Sequence, residues 1–252
     1  MGSRGKCERS IPMNPLRISA KHLGALAMPD HCERCTWLNA RMGWKMPWQF
    51  FPGIFSSFDS YSKKVTAAHF KAHGKLPKWL DGYGTPMKAP HWSKFGVVEP
   101  ESNLLLCGAP DEILRRESGD LSILDYKCAK FTDGQDRLKP LYEVQLNAYA
   151  WIAEQMGMGR ATRLALVYYE PLNAIPDDEV VGLIGEEGFG LRFGATVVPV
   201  EVHPESIPTL LNEARRIIDL PQAPDGRDGC KDCKLLDGLL DEMLDDDRLF
   251  LH

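Results

Sequence analysis

Leu104-Leu105-Leu106-Cys107-Gly108-Ala109-Pro110-Asp111-Glu112-Ile113 and, a few residues on, Leu121-Ser122-Ile123-Leu124-Asp125-Tyr126-Lys127 are the stretches that decide how this chain folds. Residues 104–108 and 121–127 are short apolar runs of strand length. Between them, 115–120 is a charged segment ending in the turn-forming Ser118-Gly119-Asp120, so the pair reads as a β-hairpin. Side chains two apart on a strand share a face, so Asp125 and Lys127 emerge together, and a hairpin can bring Asp111 beside them. Two carboxylates and a backbone carbonyl form a hard-oxygen site suited to Mg²⁺ or Mn²⁺. A lysine beside it can orient a water and neutralise a phosphate. That set suits phosphodiester hydrolysis. An isolated D-x-K triplet is commonplace surface charge in other chains, but here Asp125 closes the apolar run 121–124, an awkward place for a charge without a purpose.

Working outward, residues 19–27 and 33–42 are expected as two short helices broken at Met28-Pro29-Asp30, with Ser19 capping the first. An aromatic, proline-containing connector spans 44–52. Ser56 or Ser57 is expected to cap the next helix, which runs to about His73 before Gly74 and Pro77 end it, and 75–95 is loop-rich. After the hairpin come a helix over 142–156 closed by Gly157, strands over 163–169 and 195–202, and a helix over 207–220. In that last helix Leu210, Leu211, Ala214, Ile217 and Ile218 fall at helical spacing. The order is that of an α/β domain.

Three of these segments together resemble a known family. Gly108-Ala109-Pro110-Asp111-Glu112-Ile113, Leu124-Asp125-Tyr126-Lys127 and Gln145-Leu146-Asn147-Ala148-Tyr149 are similar to the G-x-x-D-x-I, D-Y-K and Q-L-x-x-Y motifs of RecB-like nucleases. That group includes the CRISPR-associated RecB-like exonucleases and belongs to the PD-(D/E)XK superfamily. The resemblance runs in order over about residues 16–240 and is most detailed between 104 and 152. It implies a restriction-endonuclease-like core, a mixed central sheet flanked by helices. It implies that Asp111 and Asp125 bind metal, that Lys127 assists the water and that Gln145 contacts the site from its helix. Tyr149 lies on the same helix face as Gln145, and Lys130 falls where the family often has a second basic residue; both are expected to meet nucleic acid. One position departs from the pattern: where the family carries a histidine in its first core helix, this chain has Asp59, which can ligate the same metal. His69 and His73, further along, read as ordinary helix-surface residues.

Seven cysteines in a chain expected in a reducing compartment do not suggest disulfides. Cys32/Cys35 and Cys230/Cys233 form two C-x-x-C pairs, enough thiolates to close one four-sulfur metal site. The inner members are 195 residues apart, so the metal would clasp the beginning of the chain to its end across the nuclease core. The placement resembles RecB-like nucleases with a four-iron, four-sulfur cluster. Those commonly divide their ligands one and three, whereas this chain divides them two and two, which keeps Zn²⁺ as the alternative. A thioredoxin-like motif would need a strand before the pair, and Glu33-Arg34 lie in an expected helix. His31, next to Cys32, could replace one thiolate but is read as a neighbour, and Cys107 and Cys128 as small core residues.

The formal net charge of −5 argues against a protein that merely coats DNA, while leaving room for a local basic groove. No apolar stretch approaches the ~20 residues of a membrane helix, and the first 14 residues lack the apolar core of a secretory signal, so a cytoplasmic protein is expected. Trp37, Trp44, Trp48, Trp79 and Trp92 offer either packing or stacking on unpaired bases, with 44–51 the favoured contact for a single strand. The expected organisation is an N-terminal helical segment (16–52), a nuclease core (53–220) and a C-terminal segment with the second cysteine pair (221–252). The expected activity is metal-dependent hydrolysis of DNA at single strands or ends, exonuclease rather than endonuclease. The alternatives are a catalytically silent nuclease fold that binds nucleic acid or assembles a complex, and a cysteine-metal protein with no nucleic-acid role. Protein partners are unspecified.

Overall fold

A computed structural model describes residues 15–45, 52–88, 90–131 and 137–244. Cys7, Trp48 and the acidic residues 245–247 lie outside these. The elements in order are β1 (Leu16–Ser19), α1 (Ala20–Gly24), α2 (Glu33–Arg41), α3 (Gly53–His73), β2 (Thr85–Pro86), β3 (Gly96–Glu99), β4 (Leu104–Cys107), β5 (Glu112–Arg115), β6 (Leu121–Lys127), α4 (Lys139–Gln155), β7 (Ala161–Pro171), α5 (Asp177–Val181), β8 (Ile184–Gly185), β9 (Gly188–Phe189), β10 (Phe193–Val200), α6 (Ile207–Ile218) and α7 (Lys231–Leu244).

The central sheet has five strands in the order β10-β7-β6-β5-β2 and is mixed, because β6 and β7 run parallel while the other neighbours are antiparallel. The parallel pair is joined by α4, the crossover that a parallel connection requires. A smaller sheet, β1-β4-β3, lies beside it. Helix α4 is buried along most of its length, with Leu146, Ala148, Ala150 and Ile152 packed among Leu121, Ile123, Leu164 and Leu166 of the central sheet. On the opposite face Leu76, Leu80, Leu114, Leu124, Tyr126 and Val167 form a second apolar cluster, and Tyr126 reaches from it to Thr66 of α3. A helix-flanked mixed sheet follows from strands that are apolar on both faces.

The hairpin differs from the one expected. The partner of β6 is β5, paired Glu112 to Leu124 and Arg115 to Leu121, whereas 104–107 joins the other sheet between β1 and β3. Gly108-Ala109-Pro110 turns the chain between the two sheets, since proline has no N–H for a ladder. With a charge at each end, Glu112-Ile113-Leu114-Arg115 is too short for its periodicity to stand out. Ser56 and Ser57 do not cap α3: the helix starts earlier, behind Pro52. Likewise α4 starts at Lys139, with Pro140 in its first turn, where a missing N–H costs nothing. Ser19 does cap α1, its hydroxyl accepting the His22 N–H.

Candidate active site

Alternation along β6 sends Leu121, Ile123, Asp125 and Lys127 to the α4 face, and Leu124 and Tyr126 to the other. Asp125 is 4% exposed. One of its oxygens lies 2.5 Å from Lys127 Nζ, and the other accepts a hydrogen bond from Gln145 Nε2 at 3.1 Å. The Lys127 ammonium lies 3.5 Å from Gln145 Oε1 and 3.9 Å from the centre of the Tyr142 ring. Asp111, just before β5, accepts the Tyr126 backbone N–H at 2.5 Å, which holds its carboxylate one residue from Asp125. Lys63 on α3 reaches both Asp111 and Asp59, at 2.8 Å each. Asp59, Lys63, Asp111, Asp125, Lys127 and Gln145 thus form one connected cluster, fed from α3, the β5–β6 hairpin and α4.

Taking a carboxylate out of water favours its neutral form, and a second carboxylate adds to the effect. Burial first, and then the charge of Asp125, push Asp111 up to about 6, against the pull of Lys63. Burial also raises Asp125, opposed chiefly by Lys127. Two buried acids that disfavour each other's charge form a site that a divalent cation relieves. Their oxygens are the donors Mg²⁺ and Mn²⁺ prefer, so the donor set fits such an ion. A cleft of about 380 Å³ opens beside them, bordered by Lys21, Ser56, Asp59, Lys127, Tyr142 and Gln145.

Two expected nucleic-acid contacts fare differently. Tyr149 is 4% exposed, and its hydroxyl accepts from Gln145 Nε2 at 2.7 Å; a side chain so enclosed has no face for a base, and it stands behind Gln145 instead. Its ring packs on Gly108 so closely that a Cβ there would fall 2.2 Å from Tyr149 Cε1. Lys130 is exposed, 3.9 Å from Glu170. Trp44 stacks on His22 and donates to the Arg17 carbonyl, Trp37 donates to the Leu220 carbonyl, and Trp79 and Trp92 remain exposed. Sequence reasoning missed Lys63 and Tyr142. Lys63 was findable, since it follows Asp59 by four and so shares its helix face.

The four paired cysteines converge. Cys35 Sγ lies 3.5 Å from Cys230 Sγ and 3.6 Å from Cys233 Sγ, Cys32 Sγ lies 3.6 Å from Cys233 Sγ, and all four fall within 4.8 Å of one another. Cys32 caps α2, with Cys35 in the first turn; Cys230 directly precedes α7, with Cys233 in its first turn. Two helix N-termini therefore point at one set of thiols, and their partial positive charges act against the burial that raises the Cys35 and Cys233 thiols. The Arg227 backbone N–H donates to Cys32 Sγ at 3.3 Å, and Arg34 and Asp237 join the two helices in a two-pronged ion pair. This group can hold a metal.

A buried acid pair with a lysine two residues along the strand, set on a helix-flanked mixed sheet, defines a class of metal-dependent nucleases. The model of the PD-(D/E)XK nuclease superfamily matches residues 55–237, well over half of the chain, and the chain belongs to that superfamily. Its members use divalent metals. No curated protein matches. Among solved structures, the chain is similar to SSO0001, at 12% identity and a TM-score of 0.40, covering 84% of this chain and 81% of that one. It is also similar to LHK-Exo in complex with dAMP, at 11% identity and a TM-score of 0.33, covering 91% and 92%. No helix among the described residues is long and apolar enough to cross a membrane.

Proposed function

We propose that this nuclease hydrolyses phosphodiester bonds of DNA at single strands or free ends, as an exonuclease. The observation that carries the reading is the junction of Asp111, Asp125, Lys127 and Gln145 at one cleft. Asp111 and Asp125 would hold Mg²⁺ or Mn²⁺, with Asp59 able to join from α3, and the bound ion supplies Lewis-acid charge to the phosphate. Lys127, fixed by Asp125, Gln145 and the Tyr142 ring, donates to the attacking water or to a phosphate oxygen and offsets the charge that develops there. Gln145 orients both Asp125 and Lys127, and Lys130 at the exposed rim can meet the backbone of the strand. The test is degradation of end-labelled linear single strands, blunt duplex and closed circles with Mn²⁺ or with chelator. Linear substrates should be consumed only with metal, circles spared, and Lys127→Ala slowed by at least about 100-fold. Wild-type protein that cleaves none of them would overturn the reading. A second reading, a silent fold that binds without cutting, is favoured by one observation: the Lys63 ammonium already neutralises Asp111.

At the cysteines we infer a single structural Zn²⁺ rather than the iron–sulfur cluster. Thiolates ~2.3 Å from a tetrahedral zinc stand about 3.8 Å apart, close to the spacings here. A four-iron cluster takes each cysteine at a different iron, which holds the four sulfurs farther apart than one zinc does. Purified protein should be colourless with one zinc per chain; a brown solution absorbing near ~400 nm would refute this. Four close but unlinked thiols suit the reducing cytoplasm.

A further inference from the structure

Beside the cleft at Lys127 and Gln145 lies a second cavity, also of about 380 Å³, with a different chemistry. Phe58, Tyr61 and Val65 of α3 form one wall; Trp79, Tyr169 and Phe193 form much of the rest, and no charged residue lines it among the described residues. Phe58 and Phe193 meet edge to face with centroids 5.7 Å apart, and the Trp79 indole N–H points to the Tyr169 hydroxyl at 3.4 Å. Large apolar side chains remain open to solvent here: Tyr61 is 60% exposed and Trp79 41%. Such surface on a protein of this size is usually functional. The cavity adjoins the cleft beside Lys127 and Gln145. Cys128, directly after β6, borders both, and on α3 consecutive residues face the two, Phe58 the apolar cavity and Asp59 the charged cleft.

We propose that this cavity holds one unpaired nucleobase of the strand whose phosphate lies in the adjoining cleft beside Lys127, which rests on the nuclease reading above. The occupant must be neutral, flat and aromatic, to suit an uncharged aromatic wall, and it must be tethered to a phosphate, to suit the cleft next door. A nucleobase meets both conditions. Polar groups in the wall are few and partly engaged: the Ser62 hydroxyl donates to the carbonyls of Phe58 and Asp59, and the Tyr169 hydroxyl receives Trp79. The pocket therefore stacks a base without reading its edge, and stacking tolerates every base. A base inside a duplex is stacked and paired and cannot enter, so the cavity selects unpaired strand over duplex and is indifferent to sequence.

The test uses the full chain carrying Asp125→Asn to prevent cleavage, with a short thymidine oligonucleotide and the same oligonucleotide carrying single abasic sites walked along it. Binding should quench tryptophan fluorescence, and Trp79→Phe should remove most of that quench. One abasic position should weaken binding roughly 5- to 100-fold, as should Tyr61→Ala or Trp79→Ala. Equal affinity for every abasic oligonucleotide on otherwise unaltered protein overturns the base pocket even if a variant misfolds. Cleavage of the intact oligonucleotide by wild-type protein with Mn²⁺ reports separately on the nuclease reading, so the two can fail independently.

Discussion

Lys63 places one ammonium between Asp59 and Asp111, so on the proposed reading it would compete with a cation for these carboxylates. Lys63→Met should tighten Mn²⁺ binding, by about tenfold in titration calorimetry, if a single competing charge is removed; weaker binding would instead make Lys63 the group that positions Asp111. Gly108 has a steric duty. Because a Cβ would overlap the enclosed Tyr149 ring, Gly108→Ala should destabilise the fold by about 1–3 kcal/mol in urea unfolding, and a near-native midpoint would contradict that packing. Glu99 offers the clearest pH effect. Burial pushes its carboxyl up, but Ser102, through its hydroxyl and its backbone N–H (2.7 Å), and the Glu101 N–H (3.1 Å) outweigh it and hold the group below its usual range. A depressed carboxylate adds stability above its unfolded pKa and loses it as pH falls through its folded one. Glu99→Gln should therefore destabilise the protein near neutrality and much less in acid; a loss of equal size at both would refute it.

Among the elements, β6 was legible because a buried strand must be apolar until its last residues, so an aspartate and a lysine there announce themselves. Its partner β5 was not, for Ile113 and Leu114 are too few to show a period, and only the sheet they join gives them meaning. Helix α3 was legible in extent but not in its start, since Pro52 is a weaker signal than the two serines that follow. Tyr149 could be placed on the face of Gln145 by spacing, yet spacing does not say which residue stands in front. Helices α2 and α7 come together over the thiols, and their Arg34–Asp237 pair is solvent-exposed. Exposed pairs contribute little. Asp237→Asn should lower the thermal midpoint by less than about 3 °C and leave bound metal unchanged, and metal loss in that variant would show that the ion pair, not the thiols, assembles the site.

On the scale of the molecule, composition argued against a coating protein but could not show that residues 195 positions apart meet. Only the pairing of two C-x-x-C motifs hinted at it. Cys230→Ser with Cys233→Ser should abolish bound metal and lower the midpoint of the whole domain in one transition, because α2 and α7 lose their link together; retained metal, or an unmoved midpoint, would refute the clasp. That link also imposes a timetable on synthesis. At roughly 5–20 residues per second, translation needs about 10–40 s to go from Cys35 to Cys230, and throughout that interval the first two thiols sit on the nascent chain without their partners. They are then open to oxidation or to the wrong metal, so the yield of correctly loaded protein should depend on how quickly the ribosome delivers the last two.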